Sequence, residues 1–122
     1  MIEKTEQFKK NLEKALALKD EGKNDDALKI LFQLEKTDIQ RPVIVGLIGL
    51  LLYYEKDDIE KALPYLKESV SLSPKSERAS LGLFHALWEK NNIDEAFNEM
   101  KRFMKSSDSK EYRRLLAEIN AD

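Results

Sequence analysis

His85 is the only histidine in the chain, and cysteine is absent. Those two facts remove most side-chain chemistry at the outset. A disulfide, a thiolate metal site or a cysteine nucleophile has no residue to build it. No carboxylate pair stands at metal-ligand spacing from His85, so a lone helical histidine beside Trp88 reads as a structural or binding contact rather than a general base. The pairs Asp25-Asp26 and Asp57-Asp58 fall at turns, where short carboxylates cap free backbone amides. Lys101-Arg102 and Arg113-Arg114 read as solvated basic faces, with Arg113 or Arg114 as the alternative rim of a binding surface. There is no phosphate-cradling glycine loop, nucleophile elbow or zinc motif. The sequence predicts a non-enzyme with no catalytic residue, no cofactor and no metal.

The elements that position these residues follow from composition and pattern. The 122 residues are of a length for one domain, residues 1–122, able to bury a core. Charged residues make up 36% of the chain, yet the formal net charge is only −2, which gives no reason to expect nucleic acid or an anionic membrane as partner. The start "MIEKTEQFKK" lacks the apolar core of a signal peptide, so a cytoplasmic location is expected. Three prolines and four glycines among abundant Leu, Lys, Glu and Ala predict an all-α protein. The exception to this polarity is "RPVIVGLIGLLLYY", Arg41 to Tyr54, uncharged after its first residue. As a helix it would extend about 20 Å, whereas a bilayer core is roughly 30 Å thick. Protein must therefore cover it.

An internal repeat says what covers it. "YEKDDIEKALPYLKESVSLSP", from Tyr54, aligns with "WEKNNIDEAFNEMKRFMKSSD", from Trp88, at an offset of 34 residues that pairs Ile59 with Ile93 and Ala62 with Ala96. A third copy, "KDEGKNDDALKILFQLEKTD" from Lys19, places Ala27 at 35 residues before Ala62, so one extra residue lies between the first and second copies. Gly22, Asp57-Asp58 and Asn91-Asn92 mark tight turns, and an amphipathic helix follows each. Ser73 and Pro74 predict the start of a new helix. "SKEYRRLLAEINAD" predicts a last helix capped by Asp108 or Ser109, with Tyr112, Leu115, Leu116 and Ile119 on its apolar side.

These copies resemble the tetratricopeptide repeat family. The second offers Tyr53, Ala62, Leu66 and Pro74 where that pattern places its large, small, apolar and proline residues, with Leu50 where a small residue is usual; the third offers Leu87, Ala96 and Met100, with Phe84 at the small position. The first offers Ala15, Leu18, Ala27 and Leu31. The resemblance covers about 100 of the 122 residues. It implies an α-solenoid of three helix-turn-helix repeats, about 8–42, 43–76 and 77–110, with a capping helix at about 109–121. It also implies that the protein binds another protein or peptide segment in a concave groove. The apolar stretch becomes the first helix of the central repeat, and the partner-binding residues expected on the groove are Ile44, Leu47, Leu51, Tyr54, Arg78, Leu81, His85 and Trp88. Leu12, Leu16 and Lys19 would continue it in the first repeat. Tyr54 and Trp88 are expected side by side. Leu12, Leu16 and Ile48 stand where some family members carry a clamp for a C-terminal carboxylate, so an apolar or helical partner segment is expected instead. Three alternatives stand beside a binding module: a dedicated inhibitor, such as an immunity protein or antitoxin that occludes a bacterial toxin; a homodimer closing the groove on itself; and the chain's own ends folding over the groove.

Overall fold

A computed structural model describes residues 2–121 as seven helices: α1 (Ile2–Asp20), α2 (Asn24–Glu35), α3 (Arg41–Leu50), α4 (Ile59–Leu72), α5 (Glu77–Glu89), α6 (Ile93–Ser106) and α7 (Lys110–Ala121). No strand occurs among the described residues, as the all-α expectation requires. The helices pack in pairs, α1 on α2, α3 on α4 and α5 on α6, and each pair meets the next through α2–α3 and α4–α5 contacts. No helix of the described residues is long and apolar enough to cross a membrane. The apolar stretch is α3 together with its last turn, Leu51–Glu55, which widens into a π-helix. Neighbouring helices cover most of it, and Ile44, Val45 and Ile48 are fully buried.

Each pair turns by the same device. One residue takes the left-handed conformation, with φ of 79° at Gly22, 52° at Asp57 and 69° at Asn91. Glycine, aspartate and asparagine are the types that reach this region at least cost. A backbone hydrogen bond then spans the turn. The Lys23 amide donates to the Leu18 carbonyl at 2.8 Å, and the Asn92 amide donates to Leu87 at 2.8 Å, five residues back in both cases. In the central pair the Asp58 amide donates to Leu52 at 2.9 Å, six residues back. The extra residue seen in the repeat interval is therefore located. It is absorbed between Leu52 and Asp57, in the π turn, where the Lys56 amide reaches the Leu51 carbonyl at 3.1 Å.

That location corrects the register of α3. Upstream of the π turn every residue of α3 aligns with the residue 35 positions later in α5, not 34. Leu18, Leu52 and Leu87 become equivalent, and Ala15, Gly49 and Phe84 share the position at which the repeat favours a small side chain. Gly49 rather than Leu50 fills it in the central repeat. A Cβ on Gly49 would lie 3.2 Å from the Leu66 backbone nitrogen and 3.2 Å from Tyr65 Cβ, so α4 crosses α3 at this point. Ala27, Ala62 and Ala96 are wholly buried at the corresponding place on the second helices.

Helix starts follow local chemistry. Asp58 Oδ1 accepts from the Lys61 amide at 3.3 Å, Ser76 Oγ from Ala79 at 3.1 Å and Ser109 Oγ from Tyr112 at 3.0 Å. Helix α5 thus begins at Glu77 with Ser76 as its cap; Ser73 and Pro74 lie in the preceding turn, because Ser76 offers the hydroxyl in capping geometry. Of the two candidates for α7, Ser109 caps, while Asp108 accepts from the Ser109 amide at 2.9 Å.

Replacing Ala62 or Ala96 by Leu should overpack these crossings and cost about 1–3 kcal/mol, read by chemical denaturation. The α3 register makes a sharper forecast. Gly46→Ala meets only the Ser69 hydroxyl, at 3.3 Å, and should gain up to about 1 kcal/mol from helix propensity. Gly49→Ala should show no such gain, because the backbone of Leu66 cannot recede. Equal effects from the two changes would contradict the register.

Candidate functional site

The corrected register decides which side chains of α3 reach the surface. Val43, Leu47, Leu50 and Tyr54 follow one another at spacings of four, three and four residues, which is one stripe of a helix. Val43 is 45% exposed and Tyr54 54%, while Leu47 and Leu50 are half-buried. The stripe forms the floor of two adjoining hollows. One, of about 390 Å³, is lined by Lys19 of α1, Leu47, Leu50, Leu51, Tyr54 and Glu55 of α3 and its π turn, and Arg78 of α5. The other, of about 190 Å³, continues toward the start of α3 and includes Val43, Gly46 and again Leu47, Leu50 and Arg78. No residue of α7 lines either hollow.

Of the residues expected on the groove, Leu47, Leu51, Tyr54 and Arg78 line the larger hollow together. Leu51 forms its deep floor and is only 3% exposed. Ile44 is corrected: it is completely buried, because the residue absorbed in the π turn rotates α3 so that Val43 faces out instead. Leu81 is half-buried against the core. His85 and Trp88 line neither hollow. The Trp88 ring stacks on Phe84 at 5.8 Å and meets Phe97 of α6 edge-on at 5.7 Å. Tyr54 instead meets Tyr53 edge-on at 4.7 Å, so the expected pairing of Tyr54 with Trp88 gives way to a separate partner for each. Val43, Leu50 and Glu55 were not expected on the groove, Leu50 having been placed at the small position of the repeat; for Val43 and Leu50 the mismatch between 34- and 35-residue intervals, with Gly49 as the small residue, was the signal that could have found them.

Polar contacts fix the edges. The Tyr53 hydroxyl donates to Glu89 Oε2 at 2.8 Å, tying the π turn to the end of α5. Burial, and then this carboxylate, hold the Tyr53 proton on. Burial likewise raises the Tyr54 hydroxyl, with the Arg78 charge acting in the opposite direction. Among the described residues Glu55 and Arg78 form no ion pair, whereas Lys19 meets the exposed Asp20 at 3.3 Å.

The basic pairs behave differently from one another. Arg113 meets Asp108 at 3.1 Å, and Arg114 pairs with Glu111 and Glu118; neither lines the hollows. Arg102 is not simply solvated. Its Nε donates to Glu99 Oε1 at 2.8 Å, and it reaches the Pro74 carbonyl at 3.0 Å. Glu99 is buried and accepts from the Ser80 hydroxyl at 2.6 Å. That hydroxyl has one proton, so the Tyr112 hydroxyl, 2.7 Å away and fully buried, donates to Ser80 in turn. This network holds α7 by its first turn, while Leu116 farther along remains 38% exposed. The capping expected of the acidic pairs holds for Asp58, which caps α4 while Asp57 makes the left-handed turn, and is corrected for Asp25-Asp26: both lie in the first turn of α2, whose N-cap Lys23 makes no side-chain cap bond, and Asp25 instead meets Lys56 at 2.6 Å.

Comparison with known sequences bears on what such a surface is for. A family model described as Tetratricopeptide repeat matches residues 53–119, more than half of the chain. Among curated proteins no relative matches.

His85, partly buried, titrates below its ordinary value of 6.5, first because burial disfavours the imidazolium; Arg114 acts the same way, while Glu111 and Glu89 oppose it. A depressed folded pKa stabilises the fold above the unfolded value, and that contribution is lost as pH falls through the folded one. Thermal melts between about pH 7.5 and 5.5 should show stability declining on acidification, and His85→Gln should flatten the decline. An unchanged slope in that variant would assign the decline to other groups.

Proposed function

Since the chain belongs to the tetratricopeptide repeat family, whose repeats are protein-interaction modules, we propose that it is a non-catalytic adaptor holding a segment of a partner polypeptide on the concave face along α3. The observation that supports this most is the exposed apolar stripe of Val43, Leu47, Leu50 and Tyr54 set in two continuous hollows. In a chain 36% charged, a contiguous apolar surface with an aromatic residue and an arginine beside it has the composition of an interface core. Binding by such a surface uses burial of apolar area with a few polar contacts for register, and it needs no reacting group.

The test is site-directed. A photo-reactive amino acid at Val43 or Tyr54 should cross-link a single protein partner in the source cell, and the same label at Arg113, away from the hollows, should not. Replacing both Val43 and Tyr54 by Asp should abolish the interaction with at most a small change in melting temperature, since both side chains are about half exposed. Retained binding by that variant would move the site elsewhere on the molecule.

A further inference from the structure

The smaller hollow, of about 190 Å³, has a polar side that the apolar stripe does not explain. Three serines and an arginine share it: Ser69 in the last turn of α4, Ser73 and Ser76 in the turn that follows, and Arg78 in the first turn of α5. Arg78 is the one charged residue in its lining and forms no ion pair among the described residues. No carboxylate lines this hollow. Glu77, in the same turn of α5, is exposed and lines neither hollow.

Ser69 carries the argument. It is only 5% exposed, yet its hydroxyl makes no hydrogen bond among the described residues. The other buried polar side chains differ: Ser80 and Glu99 bond to one another, and Ser109 caps α7. A buried hydroxyl without a partner is costly, and native folds rarely leave one. The Ser69 oxygen is not sealed in, because the described residues include no enclosed side-chain oxygen that lacks a partner. Its opening is the hollow that Ser69 lines. Gly46 keeps that opening clear. A Cβ on Gly46 would meet one atom, the Ser69 oxygen, at 3.3 Å, so no helix crossing requires glycine here as α4 requires it at Gly49.

The remaining donors converge on the same space. Ser76 Oγ accepts from the Ala79 amide at 3.1 Å, which leaves the hydroxyl proton to give. The Ser73 hydroxyl has no partner among the described residues. The Ser69 and Ser73 carbonyls are already taken, by the Ser73 amide at 2.9 Å and the Ser76 amide at 3.0 Å. The amides of Glu77 and Arg78 open α5 and have no acceptor within the helix, and a helix start of this kind favours negative charge. Donors from α4, the turn and α5 stand on different walls. A planar carboxylate meets one wall at a time, whereas a tetrahedral anion offers oxygens to several at once.

We propose that this hollow binds a tetrahedral oxyanion of the phosphate class, held by the Ser69, Ser73 and Ser76 hydroxyls and the Arg78 guanidinium. The ligand is small and binds without a covalent step. The site stands whether or not a partner polypeptide lies on the Val43–Tyr54 stripe.

Titration of the isotope-labelled intact chain with inorganic phosphate, at fixed pH and ionic strength and followed by amide NMR, tests it. The Gly46, Ser69, Ser73, Ser76 and Arg78 amides should shift together along one saturable curve. Sulfate should reproduce the shifts and acetate should not. Methyl phosphate should bind as well: tighter binding than inorganic phosphate assigns the natural ligand to a phosphate monoester, and weaker binding assigns it to the free ion. Arg78→Ala should weaken phosphate about tenfold and Ser69→Ala about fivefold. Gly46→Ala separates the site from the fold. Its methyl group crowds the Ser69 hydroxyl, so phosphate affinity should fall while the melting temperature holds or rises. Arg113→Ala, away from the hollow, should leave the affinity unchanged. Shifts that scatter over the surface lysines without saturating would overturn the site, as would unchanged affinity in both Ser69→Ala and Gly46→Ala. Acetate binding as tightly as phosphate would overturn the tetrahedral assignment. Each of these failures leaves the protein-binding role of the stripe untouched.

Discussion

One hydrogen bond is repeated three times in this fold, and the rest of the architecture hangs from it. At the end of each first helix the carbonyl of a leucine, Leu18, Leu52 or Leu87, receives the amide that opens the second helix. A buried or half-buried carbonyl at a helix end must find a donor, and this closure provides it while fixing the angle at which the two helices return on one another. In the central repeat the loop contains one more residue. The bond is kept and the helix yields, widening to a π turn at Leu51–Glu55. The consequence is not local. Rotating α3 by one position carries Ile44 into the core, turns Val43 outward, and brings Gly49 under α4.

The other end of the molecule depends on a different constraint. Glu99 is a buried carboxylate, which is costly unless every oxygen is satisfied. Here Arg102 and Ser80 satisfy it, and Ser80 in turn accepts from Tyr112. The chain of bonds joins α6 to α5 and α5 to α7, and Arg102 extends it to the turn before α5 through the Pro74 carbonyl. Helix α7 thus docks by polar contacts and the aromatic cluster of Phe84, Phe103 and Tyr112 rather than by a long apolar seam. Its second half is correspondingly less covered.

Much of this was legible in the residues. The 34-residue spacing of Ala62 and Ala96 is a property of helix pairs that must cross at a small residue, so period, pairing and burial followed together. The turn residues Gly22, Asp57 and Asn91 were readable because few side chains tolerate positive φ. The register of α3 was not readable from alignment alone. Tyr54 matches Trp88 at an offset of 34 residues and Gly49 matches Phe84 at 35, with the change falling inside the π turn, so a single offset cannot serve the whole helix. Glu99 and Arg102 were hidden for another reason. Nothing in "NEMKRF" separates a carboxylate that turns inward from one that faces water; the distinction lies in Ser80 and Tyr112, far away in sequence.

The register also sharpens what the exposed stripe means. Leu47 and Leu50 lean on the core and repay part of their cost in packing, as the close approach of Leu50 to Gly82 indicates. Val43 and Tyr54 do not: about half of each remains in water, and polar residues could stand at both places without disturbing a helix crossing. Apolar surface left in water contributes little to folding and favours association. On the opposite faces of α3 the same residue types are explained by α2, α4 and α5. Along the Val43–Tyr54 stripe no element among the described residues performs that role, and the binding proposed above is what would use the apolar area left there.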